Sequence, residues 1–222
     1  MKITTPITLL TSILAMSIAA QAGNPSGWHN LLAGDSLRAW VDGDGKPVEA
    51  GKWTVKEGVL HLSGKGGGNI YTARNYDDFE LTFEWKIAPG GNSGVKYRMA
   101  PYPDKGRLGP EYQVYDDGEK LFQKGSTAGL YDIVAPDPET KELKPVGEWN
   151  SSRIVTHGGH LQHFLNGKKV VDIMIGTPKW KAAVARSKFR SVPGFAENAR
   201  GPIMLQDHGS EVWYRRILIR ER

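Results

Sequence analysis

Hydrophobic and polar residues alternate in short runs along most of the chain. The clearest run is FELTFEWKI, residues 79–87, in which every second residue is hydrophobic from Phe79 to Ile87. Because successive side chains of a β-strand point to opposite faces, this period of two predicts a strand with one face in the core. Similar runs predict strands over 53–55, 59–62, 94–99, 111–115, 149–156, 160–164, 169–172, 203–208 and 212–220.

Two tight turns are predicted between neighbouring strands. A Lys-Glu-Gly triplet at 56–58 separates the first two runs, and Asn166-Gly167 separates two later ones. Asn-Gly between alternating runs is the strongest short signal for a β-hairpin. Residues 180–190 are the one stretch with a helical pattern. Together these elements predict an all-β fold, an antiparallel β-sandwich with short helical insertions.

The first residues have the pattern of a secretory signal rather than of a strand. An early Lys2 precedes an apolar stretch and an Ala-Gln-Ala sequence at 20–22, which predicts a signal peptide over 1–22, cleaved near Ala22. The stretch is interrupted by Thr and Ser, and no second apolar run follows, so no membrane span is expected. The expected mature chain, 23–222, is a single domain of a bacterial periplasmic or secreted protein.

Composition narrows the classes of function. The absence of Cys excludes disulfides, thiolate metal sites and a lipid anchor on cysteine. The net charge of +5 comes from Lys and Arg scattered among Asp and Glu rather than gathered in a stripe, which argues against a nucleic-acid partner. The Gly-rich run at 64–68 does not open a helix, so it is not a dinucleotide-binding fingerprint.

The polar faces of two predicted strands carry an unusual set of side chains. Glu111, Gln113 and Tyr115 share one face, and Met204, Gln206 and His208 share another. Carboxylate, amide, phenol and imidazole groups at this spacing are those that hydrogen-bond a sugar. The pattern alone is equally compatible with solvated strand faces, so both interpretations remain open at this point.

Seven motifs in a fixed order resemble the 3-keto-disaccharide hydrolase family. The resemblance covers nearly the whole predicted mature chain, from Gly27 to Ile217. Its motifs are FEWK (83–86), GGNSGVKYR (90–98), GPEYQVYDD (109–117), TAGLYD (127–132), PVGEWNSSRI (145–154), HFLNG (163–167) and LQDHGSEVWYRRI (205–217). The resemblance implies a concanavalin A-like jelly-roll sandwich that acts on glycosides already oxidised to a ketone at C3 of the sugar.

That substrate class requires less of the protein than an ordinary glycoside does. A ketone at C3 acidifies the hydrogen on C2, so the C1 substituent can leave by elimination from an enolate, and water can then add. One base, one electrophile at the C3 oxygen and one acid at the leaving group suffice. The oxidation that makes the ketone must belong to another protein, so an upstream sugar 3-dehydrogenase is implied as a functional partner.

Glu84, Glu111 and His208 are the candidate catalytic residues. Glu84 lies between two aromatic residues, and partial burial there is expected to raise its pKa. His208 supplies an imidazole, which can act as a general base or a ligand. Asp207 should point to the opposite face and secure a turn with Gly209.

Six further residues are candidates for substrate binding because their side chains can hydrogen-bond a sugar or its ketone. They are Asn92, Arg98, Gln113, Tyr131, His163 and Gln206. Arg98 in particular could polarise the ketone or clamp a pair of hydroxyls. Glu84, Glu111, His163 and His208 also offer oxygen and nitrogen ligands for a divalent metal ion, which is left unassigned, and no other cofactor is predicted.

Two alternatives compete with the keto-sugar enzyme. A carbohydrate-binding, lectin-like module on the same sandwich needs only the polar face and aromatic residues. A glycosidase acting on an unoxidised glucan needs two carboxyl groups, and Glu84 with Glu111 is the pair available. Glu111→Gln separates them, since it would abolish turnover in either enzyme but only weaken binding in the lectin.

Overall fold

Two antiparallel sheets share one hydrophobic core in the computed structural model, which describes residues 27–49 and 51–222. The predicted signal peptide, 1–22, lies outside the described residues. The strands are β1 His29–Asn30, β2 Trp40–Val41, β3 Trp53–Lys56, β4 Val59–Ser63, β5 Ile70–Thr72, β6 Phe79–Ile87, β7 Asn92–Lys96, β8 Ala100–Tyr102, β9 Gly106–Leu108, β10 Glu111–Tyr115, β11 Asn150–His157, β12 His160–Leu165, β13 Lys168–Met174, β14 Met204–Leu205 and β15 Glu211–Glu221, and the helix is α1 Pro178–Ala185.

The larger sheet has the order β13-β12-β11-β6-β15-β4-β3, with β1 also paired to β15. The smaller sheet has the order β10-β7-β14-β5-β2, and β8 and β9 form a separate hairpin. All strand pairs in both sheets are antiparallel, and several neighbours are far apart in sequence, such as β6 between β11 and β15. The predicted antiparallel sandwich is confirmed.

Strand β6 supplies the centre of the core, as its period of two predicts. Its hydrophobic residues from Phe79 to Ile87 are all buried against the smaller sheet. Phe83 meets Tyr112 of β10 edge to face, with ring centroids 5.4 Å apart, so the two sheets interlock directly. Burying one such side chain contributes roughly 1.5–3 kcal/mol to stability.

Both predicted hairpin turns are confirmed. Glu57 and Gly58 join β3 to β4 with φ angles of 53° and 73°. Asn166 and Gly167 join β12 to β13 with φ angles of 48° and 85°. Two consecutive residues at positive φ form the turn whose twist matches a two-residue hairpin.

Three predicted elements differ from the observed ones by three or more residues at one end. Helix α1 ends at Ala185, and it begins at Pro178 because Thr177 caps its N-terminus by accepting a hydrogen bond from the backbone N–H of Trp180. The strand predicted over 94–99 ends at Lys96, and Arg98 beyond it has a φ of 49°. The strand predicted over 203–208 is regular only over β14, because the chain leaves the sheet near Asp207.

Five strands were not predicted. They have two or three residues each, which is too short for an alternation to be visible; they are β1, β2, β5, β8 and β9. In the described part of the chain, no helix has the length and apolar character needed to cross a membrane.

Candidate functional site

Polar side chains from neighbouring strands meet on the outer face of the smaller sheet. Glu111 of β10 lies opposite Lys96 of β7, and Lys96 lies opposite Met204 of β14. The residues that alternate with them, such as Tyr112, face the core. Since side chains alternate along a strand, Glu111 and Lys96 point away from the core on the same face.

Glu111 is a buried carboxylate on this outer face. Its residue is only 6% exposed, and its Oε2 lies 3.5 Å from the Nζ of Lys96. Burial raises the pKa of Glu111 above its usual range, although the positive charges of Lys96 and Lys188 and the nearby His208 oppose the rise. A carboxyl group with a raised pKa is suited to accept and return a proton during catalysis.

A glycine makes the space that the carboxyl group of Glu111 occupies. Gly94 lies on β7 opposite Gln113, and a Cβ atom built there would be 2.3 Å from the Oε1 of Glu111. No real Cβ atom tolerates such a contact. The carboxyl group of Glu111 therefore lies over Gly94 with one oxygen and near Lys96 with the other.

Gly94→Ala is expected to lower kcat by roughly tenfold or more while changing the free energy of unfolding by less than about 1 kcal/mol. The new methyl group would displace the end of a flexible side chain rather than backbone, and a small misplacement of a reacting group is costly to catalysis. Steady-state kinetics and urea denaturation test both parts. Gly43→Ala is the matched control, because a Cβ there meets no atom within 4 Å. Equal activity of both variants would contradict the prediction.

A cleft of about 250 Å³ opens next to Glu111, whose charge acts on the lining residue Tyr131 although Glu111 itself is not part of the lining. Its lining residues mostly carry amide, hydroxyl or ammonium groups: Asn92, Gln113, Tyr115, Lys120, Gln123, Gly125, Ser126 and Tyr131. Pockets for drug-sized ligands are roughly 300–1,000 Å³, so this cleft suits a single sugar ring. Three of the predicted binding residues, Asn92, Gln113 and Tyr131, thus lie together.

Hydrogen bonds fix the walls of the cleft. Gln113 donates from Nε2 to the Oδ1 of Asn92 at 2.9 Å, which orients both amides. The backbone N–H of Tyr131 donates to the carbonyl of Glu111 at 3.0 Å, so the phenol ring is held beside the carboxylate strand. The Nζ of Lys188 lies 4.1 Å from the centroid of the Tyr131 ring, a cation–π contact.

His208 reaches the same region on a loop held by glycine amides. Asp207 accepts hydrogen bonds at Oδ2 from the backbone N–H groups of Gly66, Gly67 and Gly68, at 3.1, 2.8 and 2.8 Å. Its Oδ1 accepts from the N–H of Gly209 at 2.9 Å, so the predicted turn is confirmed. This arrangement, the Asp207 clasp, leaves the next side chain exposed and within electrostatic reach of Glu111.

Gln206 connects this loop to the sheet. Its backbone N–H donates to the carbonyl of Gly94 at 3.0 Å, and its own carbonyl accepts from the hydroxyl of Ser93 at 2.7 Å. That hydroxyl also hydrogen-bonds the buried phenol of Tyr214, at 2.8 Å. Gln206 therefore continues the row of Gly94 across the outer face, next to the carboxyl group of Glu111.

The structure removes Glu84 from the candidate site. Glu84 lies on the outer face of the larger sheet, where its carboxylate binds the guanidinium groups of Arg215 at 2.6 Å and Arg216 at 2.8 Å. Burial opposes its ionisation, but the two arginines outweigh this effect and lower the pKa, so the predicted rise is wrong. The core separates Glu84 from Glu111, so the predicted carboxylate pair is also wrong.

Arg98 and His163 are structural residues rather than binding residues. Arg98 is 4% exposed, and its Nε donates to the carbonyl of Ala199 at 2.7 Å, so its guanidinium anchors a loop. His163 faces the core from β12 and hydrogen-bonds the hydroxyl of Tyr97 at 2.8 Å and the carbonyl of Ala128 at 3.0 Å. Burial lowers the pKa of His163 to about 4. Neither side chain lines the cleft.

The proposed metal ligands do not come together. Glu84 lies on the opposite outer face and His163 lies in the core, so neither can join Glu111 and His208 around one ion. Within residues 27–49 and 51–222, no cluster of three or more His, Asp or Glu side chains could hold a metal ion.

Lys96 and Lys188 are site residues that the sequence did not reveal. A lysine on an alternating strand ordinarily indicates a solvated face. The sequence signal for Lys96 was that it lies two residues after Gly94 and therefore on the same face of the strand. A glycine at such a position indicates that another group approaches the backbone closely. Lys188 lies in the stretch predicted as helix but follows the end of α1 in an irregular segment, so the helical pattern did not indicate its contact with Tyr131.

Comparisons with known proteins agree on the family and the fold. A model of the family of 3-keto-alpha-glucoside-1,2-lyase-like domains matches residues 27–220. The chain is similar to a 3-keto-disaccharide hydrolase of Bacteroides thetaiotaomicron, with 31% identity over 87% of this chain and 78% of that protein.

Two solved structures extend the comparison. A crystal structure of a candidate glycosyl hydrolase from Parabacteroides distasonis is similar over 88% of this chain and 94% of its own, with 31% identity and a TM-score of 0.77. A β-glucanase from Bacillus licheniformis, only 10% identical, covers 88% of this chain and 97% of its own with a TM-score of 0.52. The chain therefore has the concanavalin A-like jelly-roll sandwich expected of it.

Proposed function

The chain belongs to the 3-keto-disaccharide hydrolase family of glycoside hydrolase-like enzymes, and from this premise we propose that it cleaves the glycosidic bond of 3-keto-glycosides by elimination. Glu111 would remove the proton from C2, which the neighbouring ketone acidifies. The C1 substituent would then leave from the enolate, and water would add to the unsaturated sugar, giving net hydrolysis.

One observation carries this proposal: Glu111 is a single buried carboxylate beside a cleft, and the described residues that line this cleft include no carboxylate. An ordinary retaining or inverting glycosidase needs two carboxyl groups, roughly 5–10 Å apart, on either side of the scissile bond. Elimination from a keto sugar needs only one carboxylate, the base at C2, and the raised pKa of Glu111 suits that role.

Other residues of the face have matching roles in this scheme. His208 is exposed on a loop within electrostatic reach of Glu111 and would donate a proton to the departing oxygen. Asn92, Gln113 and Tyr131 would hydrogen-bond the hydroxyl groups of the sugar ring, and Gln206 would do so from the opposite side of Gly94.

Purified protein should therefore cleave a 3-keto disaccharide and leave its unoxidised parent intact. Product sugars would be measured by chromatography for both compounds at the same concentration. Equal cleavage of the parent would overturn the elimination mechanism. Binding of both sugars without turnover would instead identify a lectin-like module.

The proposal places the enzyme after an oxidation step. A separate sugar 3-dehydrogenase would supply the ketone, since the sequence has no dinucleotide-binding fingerprint. The N-terminal segment proposed as a signal peptide would deliver the enzyme to the periplasm or the cell exterior. Detection of the mature N-terminus near Gly23 in a periplasmic or culture fraction would test the location.

A further inference from the structure

We propose that Lys96 is a further catalytic residue, whose ammonium group binds the C3 oxygen of the sugar and stabilises the enolate as Glu111 removes the C2 proton. The inference rests on the proposed function and adds the electrophile that the elimination needs. A donor aimed at the oxygen on which charge develops is commonly the largest single contribution to such a step.

The position of Lys96 fits two reacting groups on adjacent carbons. Lys96 and Glu111 are direct cross-strand neighbours on the same face, with Nζ and Oε2 3.5 Å apart. A base at C2 and a donor at the C3 oxygen must themselves be neighbours, since C2 and C3 share a bond. The Lys96 side chain is 21% exposed, so it is mostly desolvated but open to a ligand.

The other cations near the face are less suited to this role. Arg98 is committed to the carbonyl of Ala199 and lies near two aspartates. Lys188 is exposed, and its ammonium lies over the Tyr131 ring. Among the described residues, Lys96 alone forms an ion pair with Glu111.

A simpler role for Lys96 would be that of a counter-ion. In that case its charge would only favour the ionised form of Glu111, and removing it would raise the pKa of that carboxyl group. Activity lost at neutral pH would then return when the pH is raised. An enolate without its electrophile, in contrast, is difficult to form at any pH, so the pH profile separates the two roles.

The test measures exchange of the C2 hydrogen for deuterium in D₂O, with a methyl 3-keto-glucoside as the probe and NMR as the readout. Exchange reports enolate formation without departure of the C1 substituent. Lys96→Met is expected to exchange about a hundredfold more slowly than the wild type at every pH from 6 to 9. Lys96→Arg keeps the positive charge and should retain more of the rate. Lys181→Met, an exposed change on α1, is the matched control and should exchange at the wild-type rate.

Three results would overturn the role of Lys96. Recovery of the Lys96→Met rate at high pH would leave it as a counter-ion, and an unchanged rate in a folded variant would remove it from the reaction. A gain in protein mass after treatment with the keto sugar and borohydride would show that Lys96 forms an imine with the ketone instead of a hydrogen bond. If the wild type itself showed no exchange, the proposed function would fail instead.

Discussion

Glu111→Gln is expected to lower kcat on a 3-keto disaccharide by about 10³-fold, within the range that general acid–base groups contribute. Glutamine has nearly the same shape, so the side chain should still fill the space over Gly94. It cannot accept the C2 proton, however, and no carboxylate is found among the described residues that line the cleft. Single-turnover kinetics would measure the loss, and sugar binding by calorimetry would show that the cleft is intact.

Glu84→Gln is the matched control for this prediction. The sequence predicted two catalytic carboxylates, Glu111 and Glu84. The carboxylate of Glu84 lies on the opposite outer face, on the other side of the core. We expect this variant to keep wild-type kcat. If both variants lost activity to a similar extent, the single-base mechanism would be wrong.

The raised pKa of Glu111 also predicts a pH dependence. A base must be deprotonated to act, so kcat/KM of the wild type should fall as the pH decreases through the pKa of Glu111. Because burial places that pKa above the ordinary value of 4.5, the fall should begin at a correspondingly higher pH. Residual activity of Glu111→Gln should lack this decrease, which a pH–rate profile of both proteins would show.

Lys141→Met is expected to reduce the free energy of unfolding by about 3–5 kcal/mol. The Nζ of Lys141 lies 2.5 Å from the Oδ2 of Asp117, and the two side chains are 1% and 0% exposed. Removing the ammonium leaves a buried carboxylate without its counter-charge. The backbone N–H of Thr127, 2.7 Å from Oδ1, cannot replace the lost positive charge. Equilibrium denaturation in urea would measure the change.

Two further variants make this prediction specific. The double variant Asp117→Asn with Lys141→Met removes both charges and should recover part of the lost stability. Lys46→Met breaks an exposed pair with Asp44 and should cost less than about 1 kcal/mol. A loss of less than about 1 kcal/mol in Lys141→Met would show that the buried pair contributes little.

The same ion pair supports the cleft. Lys141 also donates to the carbonyl of Leu121, so it ties the loop that contributes Lys120 and Gln123 to the lining. Partial unfolding of this loop should therefore appear as weaker sugar binding in Lys141→Met before the whole protein unfolds.

Local sequence pattern predicted the strands well, because their cause is local. The alternation of β6 and β10 and the Asn-Gly turn after β12 each reflect the geometry of neighbouring residues. The short strands β2 and β5 have too few residues for any such pattern, and pairing with partners distant in sequence forms them.

The candidate site was only partly predictable for the same reason. Glu84 and Glu111 have similar patterns, each a carboxylate on an alternating strand, yet they lie on different sheets. Only the non-local pairing decides which of them meets His208 and which meets arginines. His163 belongs to the inward row of β12 with Leu161 and Leu165, so the alternation of this strand already contained the signal for its burial.

The Asp207 clasp divides the site into parts that can be engineered separately. Gly66 and Gly68 have φ angles of 102° and 68°, and a Cβ on Gly67 would come within 2.7 Å of Leu62, so these glycines tolerate little variation. Lys65 lies next to them and lines the open pocket beside His208. A library of substitutions at Lys65 would therefore vary the pocket beside His208, where the leaving group would lie, while the sheet that holds Glu111 stays constant.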